Sequence, residues 1–221
     1  MSRLPLRQTL LAVYERLFTE YGPQHWWPAQ TPFEVIVGAI LTQSAAWTNV
    51  EKAIANLTTA NTLSPQAIHN LPEAELAALV RPSGYYNAKA HKIKAFVEWL
   101  HDEYDGNLDR LFATETMTLR QRLLGVHGIG EETADSIILY AANKPVFVVD
   151  AYTRRITTRY GIAPEGVGYA DYQTLFMKHL PTDVQLFNEY HALLVCLGKN
   201  ICRKIPKCGE CCLNDICAHR H

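Results

Sequence analysis

Apolar residues recur at helical spacing through most of the chain. Leu10, Leu11, Val13, Tyr14, Leu17 and Phe18 predict a helix over 4–21, which Gly22-Pro23 ends. Gln24-His25-Trp26-Trp27-Pro28 is aromatic and breaks the helical pattern. Residues 31–60 return to it. Phe33, Val35, Ile36, Ala39, Ile40 and Leu41 form a segment apolar almost all round, which requires burial on most sides. Small and polar residues interrupt at 42–47, and Val50 to Leu57 resumes the pattern. Ser64-Pro65 and Leu71-Pro72-Glu73 are successive helix starts, Ser64 as cap and each Pro in a first turn. A short helix closes over 76–80, a turn follows at 81–87, and Ile93, Phe96, Val97 and Leu100 mark an amphipathic helix over 89–104. Further helices are predicted over 108–124, from Ala134 to Ala141, from Ala151 to Tyr160, and over 169–180 and 184–197. One run, Val146-Phe147-Val148-Val149, has strand character, but it has no partner. The pattern predicts an all-α fold of many short helices.

Bulk properties narrow the function classes. The chain has 221 residues, 48% hydrophobic and 19% charged, enough for one or two compact domains. A net charge of −1 gives no global basic signature, so a nucleic-acid partner would need a local patch. The longest apolar runs are too short for a membrane span, and Glu15 and Arg16 make the N-terminal stretch an amphipathic helix rather than a signal peptide. Six cysteines are present, five of them within 202–217, a clustering that favours a metal or cluster site over a disulfide scaffold.

Three stretches carry candidate chemistry. In Val126-His127-Gly128-Ile129-Gly130, glycines before a helix let backbone N–H groups approach an anion, although an ordinary αα-hairpin fits the same residues. Asp150 ends the apolar run; it is either a catalytic acid or the N-cap of the helix that follows. Trp26-Trp27-Pro28 either lines a groove or plugs a loop. In the tail, the spacing Cys202-x5-Cys208-x2-Cys211-x5-Cys217 suits zinc or an iron–sulfur cluster, and Cys212 could replace Cys211. Cys196 follows Leu193-Leu194-Val195 and reads as a buried hydrophobe.

The hairpin, then Val148-Val149-Asp150 about twenty residues on, with Ile40-Leu41-Thr42-Gln43 and Gly84-Tyr85-Tyr86-Asn87-Ala88-Lys89-Ala90, resembles the helix-hairpin-helix DNA glycosylases of the endonuclease III superfamily. The resemblance covers nearly the whole chain. It implies two helical subdomains, 30–140 with the hairpin and 1–29 plus 141–221, with an active-site cleft between them and a cluster loop at 200–218. It implies a base-excision-repair glycosylase acting as a monomer on double-stranded DNA, cytoplasmic and not membrane-bound. Asp150 would be the catalytic acid. Val126, Gly128, Gly130 and Thr133 would grip DNA, Gln43 would fill the gap left by a flipped nucleotide, and Tyr85 would wedge into the stack. Cys202, Cys208, Cys211 and Cys217 would hold a [4Fe–4S] cluster, with Arg203, Lys204 and Lys207 offering charge to phosphates.

Departures from the pattern are as telling. Strand-cleaving members carry a lysine two residues after the last hairpin glycine; this chain has Glu132, which cannot form a Schiff base. That implies a monofunctional enzyme, with Glu132 either a pocket residue or a first-turn acid. Trp26, Trp27, Pro28 and Trp47 resemble the base-binding segment of the endonuclease III-like 3-methyladenine glycosylases, implying an alkylated purine as substrate. Those enzymes lack the cluster cysteines, and the first cysteine gap here is one residue shorter than usual. Oxidised pyrimidines, mismatched or deaminated bases, and a non-catalytic DNA-binding module are the alternatives.

Overall fold

The computed structural model describes residues 5–219, and every described element is helical. Leu4, the expected first residue of the first helix, lies outside the described residues. The chain forms two compact units, one of residues 27–144 and one of the residues up to Trp26 with those from Pro145 onward.

The 27–144 unit is built on its most apolar segment. Helices are numbered along the whole chain, α1 belonging to the other unit. α2, Pro32–Leu41, begins with Pro32 in its first turn and the Thr31 side chain accepting from the Glu34 N–H at 3.1 Å. Eight of its ten residues are buried, each large aliphatic one worth about 1.5–3 kcal/mol against exposure. Around it lie α3 (Trp47–Thr59), α4 (Pro65–Asn70), α5 (Glu73–Leu79), α6 (Tyr86–Tyr104), α7 (Leu108–Phe112), α8 (Thr116–Leu124) and α9 (Glu131–Ser136). α3 begins at Trp47, inside the stretch whose small residues predict a break, because packing of Val50, Ala53 and Leu57 carries the helix back to Ala46. α9 runs into a π-helical turn, Ile137–Ala141, where the Ala142 N–H reaches the Ile137 carbonyl at 3.0 Å. Asn143, with φ of 52°, ends the helix ahead of Lys144-Pro145.

The other unit comprises α1 (Leu6–Tyr21), α10 (Ala151–Tyr160), α11 (Tyr169–His179), α12 (Val184–Asn200) and the cysteine-bearing tail. Its core is aromatic. Phe147 stacks on Phe176 with ring centroids 3.9 Å apart and meets Phe187 edge-on, and the Tyr190 hydroxyl donates to the Leu10 carbonyl at 2.8 Å. The run Val146–Val149 is extended and buried but joins no sheet. Side chains of α11 satisfy its backbone instead: the Val149 N–H donates to the Tyr169 hydroxyl at 3.2 Å, and Gln173 Nε2 donates to the Phe147 carbonyl at 2.8 Å. No helix among the described residues is long and apolar enough to cross a membrane.

Candidate functional site

Of the two readings of Asp150, the N-cap is the one the structure shows. Asp150 caps α10, its Oδ1 accepting from the Thr153 N–H at 2.7 Å. The same carboxylate is only 9% exposed, and its Oδ2 lies 3.7 Å from Nε2 of His191 on α12. Burial pushes the His191 pKa down, with Asp150 pulling the other way.

The hairpin joins α8 to α9. Arg120 of α8 grips the buried Asp135 of α9 with Nε–Oδ1 at 2.7 Å and Nη2–Oδ2 at 3.1 Å, fixing the two helices together. Val126 and Ile129 are buried under the turn. Gly128 has φ of +81°, and a Cβ there would meet Cγ of Lys92 at 2.3 Å, so both conformation and contact demand glycine. Gly130 has ordinary backbone angles and open space around it. Glu132 is exposed in the first turn of α9.

Gln43 lies in the loop after α2. Its Nε2 donates to the Gly128 carbonyl and to Thr133 Oγ1, both at 3.0 Å, and its Oε1 accepts from Lys92 Nζ at 2.5 Å. Tyr85 heads α6 in a left-handed conformation, φ 46°, with 77% of its surface exposed. A large aromatic side chain is thus held outward in a sparsely populated backbone region. Lys89 explains how the Gln43 loop and the Tyr85 turn stay in register. This lysine is only 2% exposed and donates to the Leu41 carbonyl at 2.8 Å and the Ser83 carbonyl at 2.6 Å. Burial, then the neighbouring Lys92, lower its pKa.

Trp27, Pro28 and Trp47 line one pocket of about 370 Å³. Trp27 lies against Gly38 of α2, where a Cβ would stand 3.1 Å from the indole. It meets Trp47 edge-on at 5.5 Å and Tyr140 of the π turn at 5.4 Å. Glu34 and Glu51 face the same pocket, which makes it aromatic and acidic together. Trp26 is not part of it. It lines a separate cavity in the other unit with Tyr14, Phe18, Asp183 and Glu189.

In the tail, Cys202, Cys208, Cys211 and Cys217 line one cavity, walled also by Ile201 and Pro206, and Cys212 does not line it. The Cys212 thiol instead hydrogen-bonds to the neighbouring Cys211 sulfur, which lowers the Cys211 pKa to about 6. α10 holds the loop: Arg155 Nε donates to the Cys202 carbonyl at 2.8 Å, and Arg159 donates to the Arg203 and Lys204 carbonyls at 2.6 and 2.9 Å. Among the described residues, no three Cys, His, Asp or Glu side chains converge closely enough to hold a single metal ion.

The profile of the HhH-GPD superfamily base excision DNA repair proteins matches residues 37–182. The chain belongs to this family. It is 43% identical over 212 residues to a Methanocaldococcus jannaschii protein named among the DNA repair glycosylases, covering 95% of this chain and 96% of that one. It is 28% identical over 189 residues to endonuclease III of Sulfolobus acidocaldarius, covering 85% and 82%. Among solved structures, the Helicobacter pylori 3-methyladenine DNA glycosylase bound to 1,N6-ethenoadenine superposes with a TM-score of 0.76 at 28% identity, over 89% of this chain and 98% of that one. An endonuclease III trapped in a covalent DNA intermediate has the same fold, with a TM-score of 0.84 at 21% identity over 98% and 97%. An HhH-GPD chain with these relatives is a base-excision-repair DNA glycosylase, an enzyme that breaks N-glycosidic bonds.

Sequence reasoning passed over His191, Lys92 and Tyr140. His191 was detectable as the one imidazole in the otherwise apolar and aromatic run Tyr190–Leu194 of α12. Lys92 and Tyr140 carry no such signal, since their roles come from contacts distant in sequence.

Proposed function

We propose that this HhH-GPD enzyme hydrolyses alkylated, positively charged purines from double-stranded DNA and does not cut the strand. The pairing of Trp27 and Trp47 with Glu34 and Glu51 around one pocket carries this reading. A methylated purine can be cationic, and an aromatic face attracts a cation by about 0.5–2 kcal/mol. Two lining carboxylates add to that attraction and accept from any donor that the base presents. The likeness to a 3-methyladenine glycosylase supports the same substrate class.

Asp150 is read as the catalytic carboxylate. Its Oδ1 is committed to the helix cap, which leaves Oδ2 to stabilise the cationic sugar or to orient water. Glu132, in the place of the strand-cutting lysine, offers no amine for a covalent sugar adduct. Gln43 would enter the gap of the extruded nucleotide, and Tyr85 would wedge beside it. Val126, Gly128, Gly130 and Thr133 would form the backbone-gripping turn.

The four cavity-lining thiols are read as the ligands of a [4Fe–4S] cluster. One zinc ion draws its sulfurs to about 2.3 Å from a common centre, whereas a cubane spreads its ligands around a larger body. The four thiols on one cavity wall suit either group, and the resemblance of their spacing to the endonuclease III cluster loop favours the cluster. A bound cluster would supply structure to the loop that presents Arg203, Lys204 and Lys207.

A base-release panel tests the proposal, comparing 3-methyladenine, 7-methylguanine, thymine glycol, uracil and mismatched-thymine duplexes, with and without alkali. Release of methylated purine, with strand breaks only after alkali, is expected. Release of uracil or mismatched thymine with methylated purine left in place would overturn the substrate, and a borohydride-trapped adduct would overturn the monofunctional reading.

A further inference from the structure

We infer that Lys92 is a latch for Gln43: it holds the glutamine against the hairpin in the free protein and becomes a phosphate contact once Gln43 enters DNA. The inference rests on the glycosylase reading, in which Gln43 leaves its place to fill a gap in the duplex.

The geometry is that of a closed lock. Lys92 Nζ donates to Gln43 Oε1 at 2.5 Å, and Gln43 Nε2 donates to the Gly128 carbonyl and Thr133 Oγ1 at 3.0 Å each. Both ends of the amide are engaged, and Lys92 dictates its orientation, because only Oε1 can face an ammonium. The aliphatic stem of Lys92 runs along the space where a Gly128 Cβ would be, 2.3–2.9 Å from it at three carbons. Stem and turn therefore lie together, so the ammonium on α6 is held beside the turn between α8 and α9.

Entry of Gln43 into a duplex breaks all three hydrogen bonds. The Gly128 carbonyl and the Thr133 hydroxyl can be solvated, but Lys92 loses its amide-oxygen acceptor while Lys89, one turn earlier on α6, remains a neighbouring cation. Duplex DNA offers a phosphate oxygen at the turn. The protein thus exchanges an internal bond for an external one only when Gln43 is displaced, which links gap filling to backbone grip.

The test measures duplex binding across a potassium chloride series for wild type, Lys92→Met, Lys92→Arg and Gln43→Ala. One duplex is undamaged and the other carries a tetrahydrofuran abasic analogue. For wild type the log–log salt slope is expected to be steeper by about one on the abasic analogue, the count for one additional phosphate contact. Lys92→Met should remove that extra count and Lys92→Arg should keep it. Gln43→Ala, with the ammonium already released, should show the steeper slope on undamaged DNA as well. An unchanged slope difference in a natively melting Lys92→Met, or no change of slope in Gln43→Ala, overturns the latch. If wild type shows no preference for the abasic analogue at all, the gap-filling role of Gln43 fails and takes the latch with it.

Discussion

His191 Nε2 stands 3.7 Å from Asp150 Oδ2, with both side chains buried between α10 and α12. Burial depresses the His191 pKa, so the folded protein carries it neutral at a pH where the unfolded chain is already protonated. Between the depressed pKa and about 6.5, the unfolded state therefore binds more protons, and stability falls as pH falls through that window. Thermal midpoints at pH 7.5 and 5.5 check this. Wild type should lose more than His191→Gln on acidification, and equal losses would refute the burial argument.

Asp150 combines a cap with a carboxylate, and two substitutions separate them. Asp150→Asn keeps an oxygen for the Thr153 N–H, so its melting should stay within about 1 kcal/mol of wild type while base release falls on the order of a thousandfold. Asp150→Ala should lose a further 0.5–2 kcal/mol or so of stability from the missing cap. Single-turnover release assays beside thermal melts give both readouts. An Asp150→Asn enzyme that still turns over at the wild-type rate removes Asp150 from the chemistry.

The two hairpin glycines should behave differently. Gly128→Ala places a methyl group into the Lys92 stem at a positive φ, which is expected to cost about 1–3 kcal/mol. Gly130→Ala meets nothing within 4 Å at an ordinary φ and should cost less than about 1 kcal/mol. Urea denaturation ranks them, and equal losses would contradict the geometry.

Charge selectivity is expected to reside in the acidic aromatic pocket. Trp47→Leu should lower release of 7-methylguanine by roughly 2- to 30-fold, the range that cation–π attraction allows. The double change Glu34→Gln, Glu51→Gln should reduce the preference for cationic over neutral purines, measured as release of 7-methylguanine against hypoxanthine. An unaltered ratio would remove the carboxylates from substrate choice.

The tail distinguishes its adjacent cysteines. Cys211→Ser should deplete iron and sulfide and bleach the visible absorbance, whereas Cys212→Ser, off the cavity wall, should retain both. The opposite result would make Cys212 the ligand.

Helix spacing alone revealed the all-α architecture, and Gly128, Asp150 and the cysteines were legible as motifs. What escaped was whatever depends on partners far along the chain. Val146–Val149 has strand propensity, yet Tyr169 and Gln173, some twenty residues on, supply the bonds that a sheet would have given. Trp26 and Trp27 are adjacent in sequence but belong to different compact units, so the tandem read as one aromatic segment divides. Lys89 sits in an ordinary amphipathic helix, and only two carbonyls 48 and 6 residues away make its burial tolerable.

The π-helical turn at Ile137–Ala141 is equivalent to one surplus residue in an α-helix. Removing that residue would restore α-helical geometry within the turn and carry Tyr140 off the face that meets Trp27. The aromatic backing of the pocket is thus owed to helix length rather than to residue identity. A deletion in this turn would therefore change the wall behind Trp27 without altering any side chain that lines the pocket.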